Sequence, residues 1–218
     1  MPIYSDLPDV ERMALAELAL NNAKGDPDTL AVLTNFGYPE ARIDEGLALV
    51  TAAQNAHRTQ DQQRGEQFAA TDALEAQREA VYERYMRHVK LARVALADDR
   101  GAQEDLGLDG VRSRDLEGWI DQARNFYTSA LATPAVLSAL APYGMTAPAL
   151  TTARAEVEAV EEARRTTREE REDAQSATVS RRAALDALDA YMSDFIKVAR
   201  VAFADDPQRL ERLGLVTP

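Results

Sequence analysis

The chain contains no cysteine and only two histidines, and both shortages narrow the chemistry open to it. Without cysteine there are no disulfides, thiolate nucleophiles or cysteine metal ligands. His57 and His88 are preceded, three positions earlier, by Gln54 and Tyr85, so neither belongs to the Glu-x-x-His pair of a carboxylate-bridged metal bundle. The sequence therefore predicts no metal site and no cofactor.

Catalytic and phosphate-binding motifs are also missing. The ten glycines are scattered singly, so there is no Gly-rich phosphate loop, and no serine lies in a Gly-x-Ser-x-Gly turn. With so few histidines, the usual partners for an activated nucleophile are scarce. The sequence favours a protein that is not an enzyme.

No apolar run is long enough to predict a membrane span. The longest uncharged segment, Asn125–Ala153, is interrupted by three prolines and one glycine. The first residues show no basic region followed by an apolar segment, so no secretory signal is expected. We predict a soluble, cytoplasmic protein without membrane contact.

Aromatic residues are few, at 6%, whereas hydrophobic residues make up 45% of the chain and charged residues 28%. Alanine and other good helix formers dominate, and alternating β-branched runs are absent, which predicts an all-α fold.

The net charge is −12, the opposite of what a phosphate backbone attracts. The arginines of segment 164–182 alternate with acidic residues, as on a solvated helix, so nucleic-acid binding is not expected.

One segment of the chain occurs twice. Residues 90–99 return as residues 197–206, a numbering offset of 107, with eight of ten positions identical. Leu106-Gly107-Leu108 returns at the same offset as Leu213-Gly214-Leu215. The chain therefore reads as two helical repeats, 1–107 and 108–218, related by a pseudo-two-fold axis and folded together as one structural unit.

Each repeat has the same predicted order of helices. In the first, we place a helix near 8–23, a short helix from Asp26-Pro27 to Gly37, a long stretch over 40–98, and a short helix ending at Leu106. The second repeat has its long stretch over 148–205. The apolar face of both long stretches is strong at the ends and fades in a polar middle.

Two architectures fit this pattern. If each long stretch is one helix, the pair forms an antiparallel, coiled-coil-like stalk between two small helical heads. If each stretch folds back, near Gly65 and near residue 172, the result is two helical hairpins in a bundle. Gly65 and a possible cap at Thr71 favour hairpins, whereas the lack of turn residues over 169–175 favours continuous helices. We prefer continuous helices.

The repeated segment also carries the candidate binding residues. Lys90 and Arg93 lie three positions apart and share a helix face, as do Lys197 and Arg200. These four residues form a candidate anion or partner site. In the alternative interpretation they pair with acids and with the last carbonyls of their helices, while the small alanines permit close helix contact.

Two further features bear on the core. Trp119, Phe126 and Tyr127 fall on one side of a predicted helix and are interpreted as core residues. Phe195 corresponds to His88 at the offset of 107, which indicates that His88 packs rather than binds metal.

Together these patterns favour an interaction or spacer protein that binds a protein partner or self-associates. The rival hypothesis is a small-molecule or anion binder, or an enzyme, with a pocket between the duplicated helices.

Overall fold

A computed structural model of the protein describes residues 4–215, and helices are the only regular elements in that range. The predicted all-α class is confirmed. In chain order the α-helices are α1 (Asp9–Gly25), α2 (Pro27–Asn35), α3 (Glu40–Ala95), α4 (Arg100–Asp105), α5 (Leu116–Ala132), α6 (Pro134–Leu140), α7 (Ala147–Ala202) and α8 (Pro207–Arg212). Short 3-10 turns lie at Tyr4–Asp6 and Ala141–Tyr143.

Helices α3 and α7 are continuous, each 56 residues long, so the hairpin alternative is wrong. Gly65 lies inside α3, where an isolated glycine costs only about 1 kcal/mol relative to alanine. Thr71 does not cap a helix, because its hydroxyl donates to the Gln67 carbonyl at 2.8 Å within the same helix. Gly65 and Thr71, the two residues that favoured a turn, therefore both lie within a regular helix.

The chain divides into two compact units. The terminal unit comprises the residues up to Gly65 and those from Asp173 onward, and the central unit comprises Glu66–Glu172. Each unit therefore contains part of each predicted repeat and receives one half of α3 and one half of α7.

In the terminal unit, the first half of α3 packs antiparallel to the second half of α7. Arg42 lies beside Tyr191 and Gln60 beside Thr178, so the contacts run in opposite directions along the two helices. The unit's core includes Leu20 and Met192, both fully buried. Further buried residues of this core are Met13, Leu33, Tyr38, Ile43, Val50, Leu188 and Phe195.

In the central unit, the second half of α3 packs in the same antiparallel way against the first half of α7. The hydroxyl of Thr167 donates to the Ala70 carbonyl at 3.3 Å, and Arg84 pairs with Glu156. Trp119, Phe126 and Tyr127 are buried in this core, as predicted. Also buried there are Val81, Tyr85, Val89, Ile120, Leu140, Leu150, Val157 and Val160.

The short helices α4 and α8 end just before glycines, as the sequence predicts. Gly107 has a φ of +60°, and the amide of Leu108 donates to the Gln103 carbonyl at 2.8 Å, which folds Leu108 back over the end of α4. Gly214 and Leu215 end α8 in the same way. These turns place both leucines in the cores, at 1% and 6% exposure.

Two aromatic side chains of the terminal and central units are exposed. Phe36 is 46% exposed because α2 ends at Asn35 and the chain then turns at Gly37. That turn buries Tyr38 instead, at 2% exposure. Phe68 on α3 is 54% exposed.

The helix bounds recur along the chain. The offset of 107 relates both ends of α1 to those of α5, and it likewise relates α3 to α7 and α4 to α8. Helices α2 and α6 begin at the same offset, although α6 ends earlier and passes into a 3-10 turn.

Candidate functional site

The four predicted basic residues divide between the two units. Lys90 and Arg93 belong to the central unit, and Lys197 and Arg200 to the terminal unit. All four are exposed and lie in the second halves of α3 and α7. Each unit therefore presents one lysine–arginine pair on a helix surface.

Two of these side chains have structural partners. Arg93 donates from Nε and Nη2 to the Leu108 carbonyl, at 3.1 and 2.7 Å. These hydrogen bonds support the turn that follows α4. Lys197 lies 3.4 Å from Asp194 in an exposed ion pair, which contributes little to stability. Within residues 4–215, Lys90 and Arg200 make no comparable ion pair or hydrogen bond.

An exposed valine follows each arginine. Val94 is 62% exposed and Val201 is 65% exposed. Lys90, Arg93 and Val94 share one helix face by their spacing, as do Lys197, Arg200 and Val201. We call these two sets of three residues the basic stripes.

Packing accounts for only part of the identity between the two segments. Ala92 and Ala199 are fully buried, as the close-contact interpretation requires. Leu96 and Phe203 are also buried, at 4% and 2% exposure, yet they differ. The residues of the stripes, by contrast, are exposed and identical.

The central unit contains an open groove of about 470 Å³, a size typical of ligand sites. The residues that line it are Glu75, Arg78, Glu79, Tyr82, Arg114 and Trp119. Tyr82 meets Trp119 edge to face, with ring centroids 5.6 Å apart. Arg78 donates to the Arg114 carbonyl at 3.3 Å, which ties α3 to the segment before α5.

The groove is lined by both aromatic and charged side chains. Trp119 is 1% exposed, and its Nε1 has no hydrogen-bond acceptor within the described range. Two carboxylates and two guanidinium groups line the sides, so the charges of the lining balance. Such a surface suits an aromatic group that carries a polar end.

The terminal unit has a cluster of ions at its N-terminal side. Arg12 pairs with both Asp9 and Asp189, and Arg181 pairs with Asp9. The side chains of this cluster are only 17–28% exposed. Burial, followed by the charge of Asp189, raises the pKa of the Tyr4 hydroxyl.

His88 packs in the central unit, as predicted. Its Nδ1 is hydrogen-bonded to the Tyr127 hydroxyl at 3.0 Å. Burial, followed by the positive charges of Arg84 and Arg87, lowers the pKa of His88. Burial likewise raises the pKa of Tyr127, so both groups are held neutral in the fold.

Two other kinds of site are absent from the part of the chain that the structure describes. Residues 4–215 contain no group of three or more histidine, aspartate or glutamate side chains arranged to hold a metal ion. No helix in that range has the length and apolarity needed to cross a membrane.

Sequence reasoning missed the groove. Trp119 is a core residue, as predicted, and the one sequence signal for the groove is a second aromatic residue on α3, Tyr82, which is only partly buried. Nothing local indicates that Arg114 and Glu75 line one groove, because they come from a connecting segment and from the middle of a long helix.

Comparisons of the chain with protein-family models, with curated proteins and with solved structures yield no match. A function must therefore be inferred from the residues and contacts of the chain itself.

Proposed function

We propose that the chain is a non-enzymatic helical interaction protein whose two units present the same surface, the basic stripe, to a protein partner. The observation that carries the proposal is the identity of the exposed residues in the two stripes, where structural contacts account for Arg93 but not for the lysines or the valines. Exposed side chains tolerate substitution with little effect on stability, so their repetition points to binding.

Internal duplication is part of this proposal. The recurrence of helix bounds at an offset of 107 supports it. Buried positions recur at the same offset: Ile43 corresponds to Leu150, and Val50 to Val157. A duplicated chain offers two equivalent sites and binds a partner with two matching epitopes more tightly than either site alone does.

The stripe defines the chemistry of the partner. Lysine and arginine attract carboxylates, and the guanidinium group also binds them through paired hydrogen bonds. The neighbouring valine buries best against an apolar side chain. The partner surface therefore carries acidic groups beside an aliphatic or aromatic residue.

A coiled-coil arrangement of α3 and α7, with the spacer role predicted for it, is the other part of the proposal. Alternating steps of three and four residues support it, because they are typical of coiled coils. On α7 these steps separate the buried residues Leu150, Ala153, Val157 and Val160, and again Leu185, Leu188, Met192, Phe195 and Ala199.

The test is capture of binding proteins by the immobilised full chain, compared among stripe variants. Lys90→Glu with Val94→Glu removes the stripe of the central unit, and Lys197→Glu with Val201→Glu removes that of the terminal unit. The matched control, Val179→Glu with Arg182→Glu, makes the same change of charge at exposed positions of α7. Arg93 is left intact because it supports the turn after α4.

The proposal expects a bound protein whose capture falls in each stripe variant, disappears when both stripes are changed, and persists in the control. Equal capture by the stripe variants and the control would overturn it. Light scattering of the free chain shows whether the bound partner is a second copy.

The anion-binding alternative remains a prediction for the same four residues. Its support is that Lys90 and Arg200 have no structural partner within the described range. Titration with inorganic phosphate, followed by NMR of the side-chain resonances, tests it. A saturable response at all four residues supports an anion site, and a response that vanishes at moderate ionic strength contradicts it.

A further inference from the structure

An exposed aspartate follows each basic stripe. Asp98 lies four positions after Val94, and Asp205 lies four positions after Val201. Both aspartates are exposed, and neither carboxylate makes a hydrogen bond or an ion pair within residues 4–215. Each unit therefore presents a carboxylate without a structural partner next to its stripe.

The aspartate lies on the same face as the stripe, because the backbone makes one further turn after the long helix. The Leu96 amide donates to the Ala92 carbonyl at 3.0 Å, and the Phe203 amide donates to the Ala199 carbonyl at the same distance. Residues four apart on such a turn are neighbours, so Asp98 lies beside the valine of its stripe. The lysine and the aspartate of one unit are roughly 12 Å apart along the helix, too far to pair with each other.

The order of these side chains makes the surface complementary to itself. Lysine, valine and aspartate follow one another at equal steps of four residues in both units. When two such surfaces pack antiparallel with their valines in contact, the lysine of each faces the aspartate of the other. A parallel packing would bring like charges together. The partner chemistry that the stripes require, an acidic group beside an aliphatic residue, is therefore present on the chain itself.

We propose that the basic stripes bind a second copy of this chain. In the antiparallel contact, Lys90 pairs with Asp98 of the other copy, and the two copies of Val94 pack against each other. The terminal unit forms the same contact through its own lysine, valine and aspartate. This inference rests on the proposed function, because it names the partner of the same stripes.

A self-complementary surface gives a reason for the repetition of the exposed residues. A contact of this kind is isologous, since both copies use the same patch. Because the two stripes are identical, the stripe of one unit also fits that of the other unit in a neighbouring copy. Each contact is small and is expected to be weak alone, but a chain that engages both stripes binds more tightly. The exposed ion pair of Lys197 with Asp194 competes little, because such pairs contribute little to stability.

The association state of the full chain tests the proposal. Sedimentation velocity is measured from about 10 µM to about 1 mM protein, a range that includes the dissociation constants of weak complexes. An ionic strength of about 0.15 M screens the repulsion between chains that each carry a net charge of −12. We expect the average mass to rise above the 24.0 kDa of one chain as the concentration increases.

Charge reversal distinguishes the proposed ion pairs from non-specific association. Lys90→Asp combined with Lys197→Asp sets carboxylates against carboxylates in every antiparallel contact and is expected to weaken association at least about tenfold. Adding Asp98→Lys and Asp205→Lys to this variant reverses both members of each pair. Association is expected to return, because opposite charges face each other again.

The matched control is Arg168→Asp with Arg182→Asp. It changes the net charge by the same amount as the two lysine substitutions do, at one exposed position in each unit. It is expected to associate like the wild type. Circular dichroism confirms that all the variants keep their helices.

The inference is overturned if the wild type stays a monomer throughout the concentration range, or if the lysine variant associates as tightly as the arginine control. It is also overturned if the variant with all four substitutions does not regain association. A monomeric chain whose capture of another protein still depends on the stripes overturns this inference and leaves the proposed function intact. Equal capture by the stripe variants and their control overturns the proposed function.

Discussion

The ring of Tyr191 on α7 lies directly over Gly46 on α3, and a β-carbon at position 46 would lie 2.6 Å from its Cζ atom. The same β-carbon would lie 2.8 Å from Cδ1 of Leu20. The Tyr191 hydroxyl donates to the Arg42 carbonyl at 2.5 Å, so the ring is fixed in this position. Gly46 therefore allows α1, α3 and α7 to meet in the core of the terminal unit.

Gly46→Ala is expected to destabilise the protein. Overpacking a core costs about 1–3 kcal/mol, which outweighs the gain of about 1 kcal/mol from replacing a helical glycine. Gly65→Ala is the matched control, because a β-carbon there meets nothing within 4 Å. It is expected to stabilise by about 0.5–1 kcal/mol. Urea unfolding of both variants tests the difference in sign, and a stabilised Gly46→Ala variant would contradict the packing.

His88 is expected to titrate below its ordinary pKa of 6.5, because burial and the charges of Arg84 and Arg87 oppose protonation. Since the folded-state pKa is the lower one, the unfolded chain takes up the proton first. The resulting stabilisation is complete above about pH 6.5 and is lost as the pH falls through the folded-state pKa. An NMR titration of the ring protons measures this value, and a pKa at or above 6.5 would contradict it.

The His88–Tyr127 hydrogen bond gives a second expectation. His88→Phe leaves the buried Tyr127 hydroxyl without its partner and is expected to cost about 1–3 kcal/mol. Adding Tyr127→Phe removes the orphaned hydroxyl and is expected to restore part of that loss. Thermal unfolding at neutral pH compares the variants. A double variant less stable than His88→Phe would show that the hydrogen bond is not the cause.

Arg12 is expected to contribute more to the free energy of unfolding than an exposed arginine in an ion pair does. Arg12→Ala leaves Asp9 and Asp189 as partly buried carboxylates without this partner, at a cost of about 1–3 kcal/mol. Arg165→Ala removes an exposed pair with Glu162 and is expected to have no measurable effect. Chemical unfolding distinguishes the two, and equal effects would contradict the role given to the cluster.

Gly107→Ala is expected to destabilise the turn after α4. A residue other than glycine at a φ of +60° costs about 1–2 kcal/mol. Gly101→Ala, inside α4, is the control and is expected to be neutral or stabilising, because the nearest atom to its β-carbon lies 3.6 Å away. Equal stability of the two variants would contradict the left-handed conformation of Gly107.

Local signals in the sequence predicted much of the fold. Asp99 accepts from the Ala102 amide at 3.0 Å and caps α4, a contact of the kind that sequence can predict because a cap depends only on adjacent residues. Asp206, at the corresponding position before α8, makes no cap and instead accepts from Arg209 at 2.9 Å. Asp206 differs from Asp99 because the Arg209 side chain competes for its carboxylate, and a helix-capping pattern in the sequence does not predict such competition.

The candidate sites were less accessible to sequence reasoning. The basic stripes were found because a repeat is visible in one sequence, although the exposure of Val94 and Val201 was not predicted. The groove was not found, because it requires knowledge of which helix faces Trp119.

Backbone chemical shifts measured by NMR for α3 and α7 test the account most directly, because the continuity and correspondence of these helices underlie every proposal. We expect uninterrupted helical shifts over 40–95 and over 147–202, with the offset of 107 relating both ends of the second helix to those of the first. A non-helical break at Gly65 or near residue 172, or helix ends that do not share this offset, would contradict it.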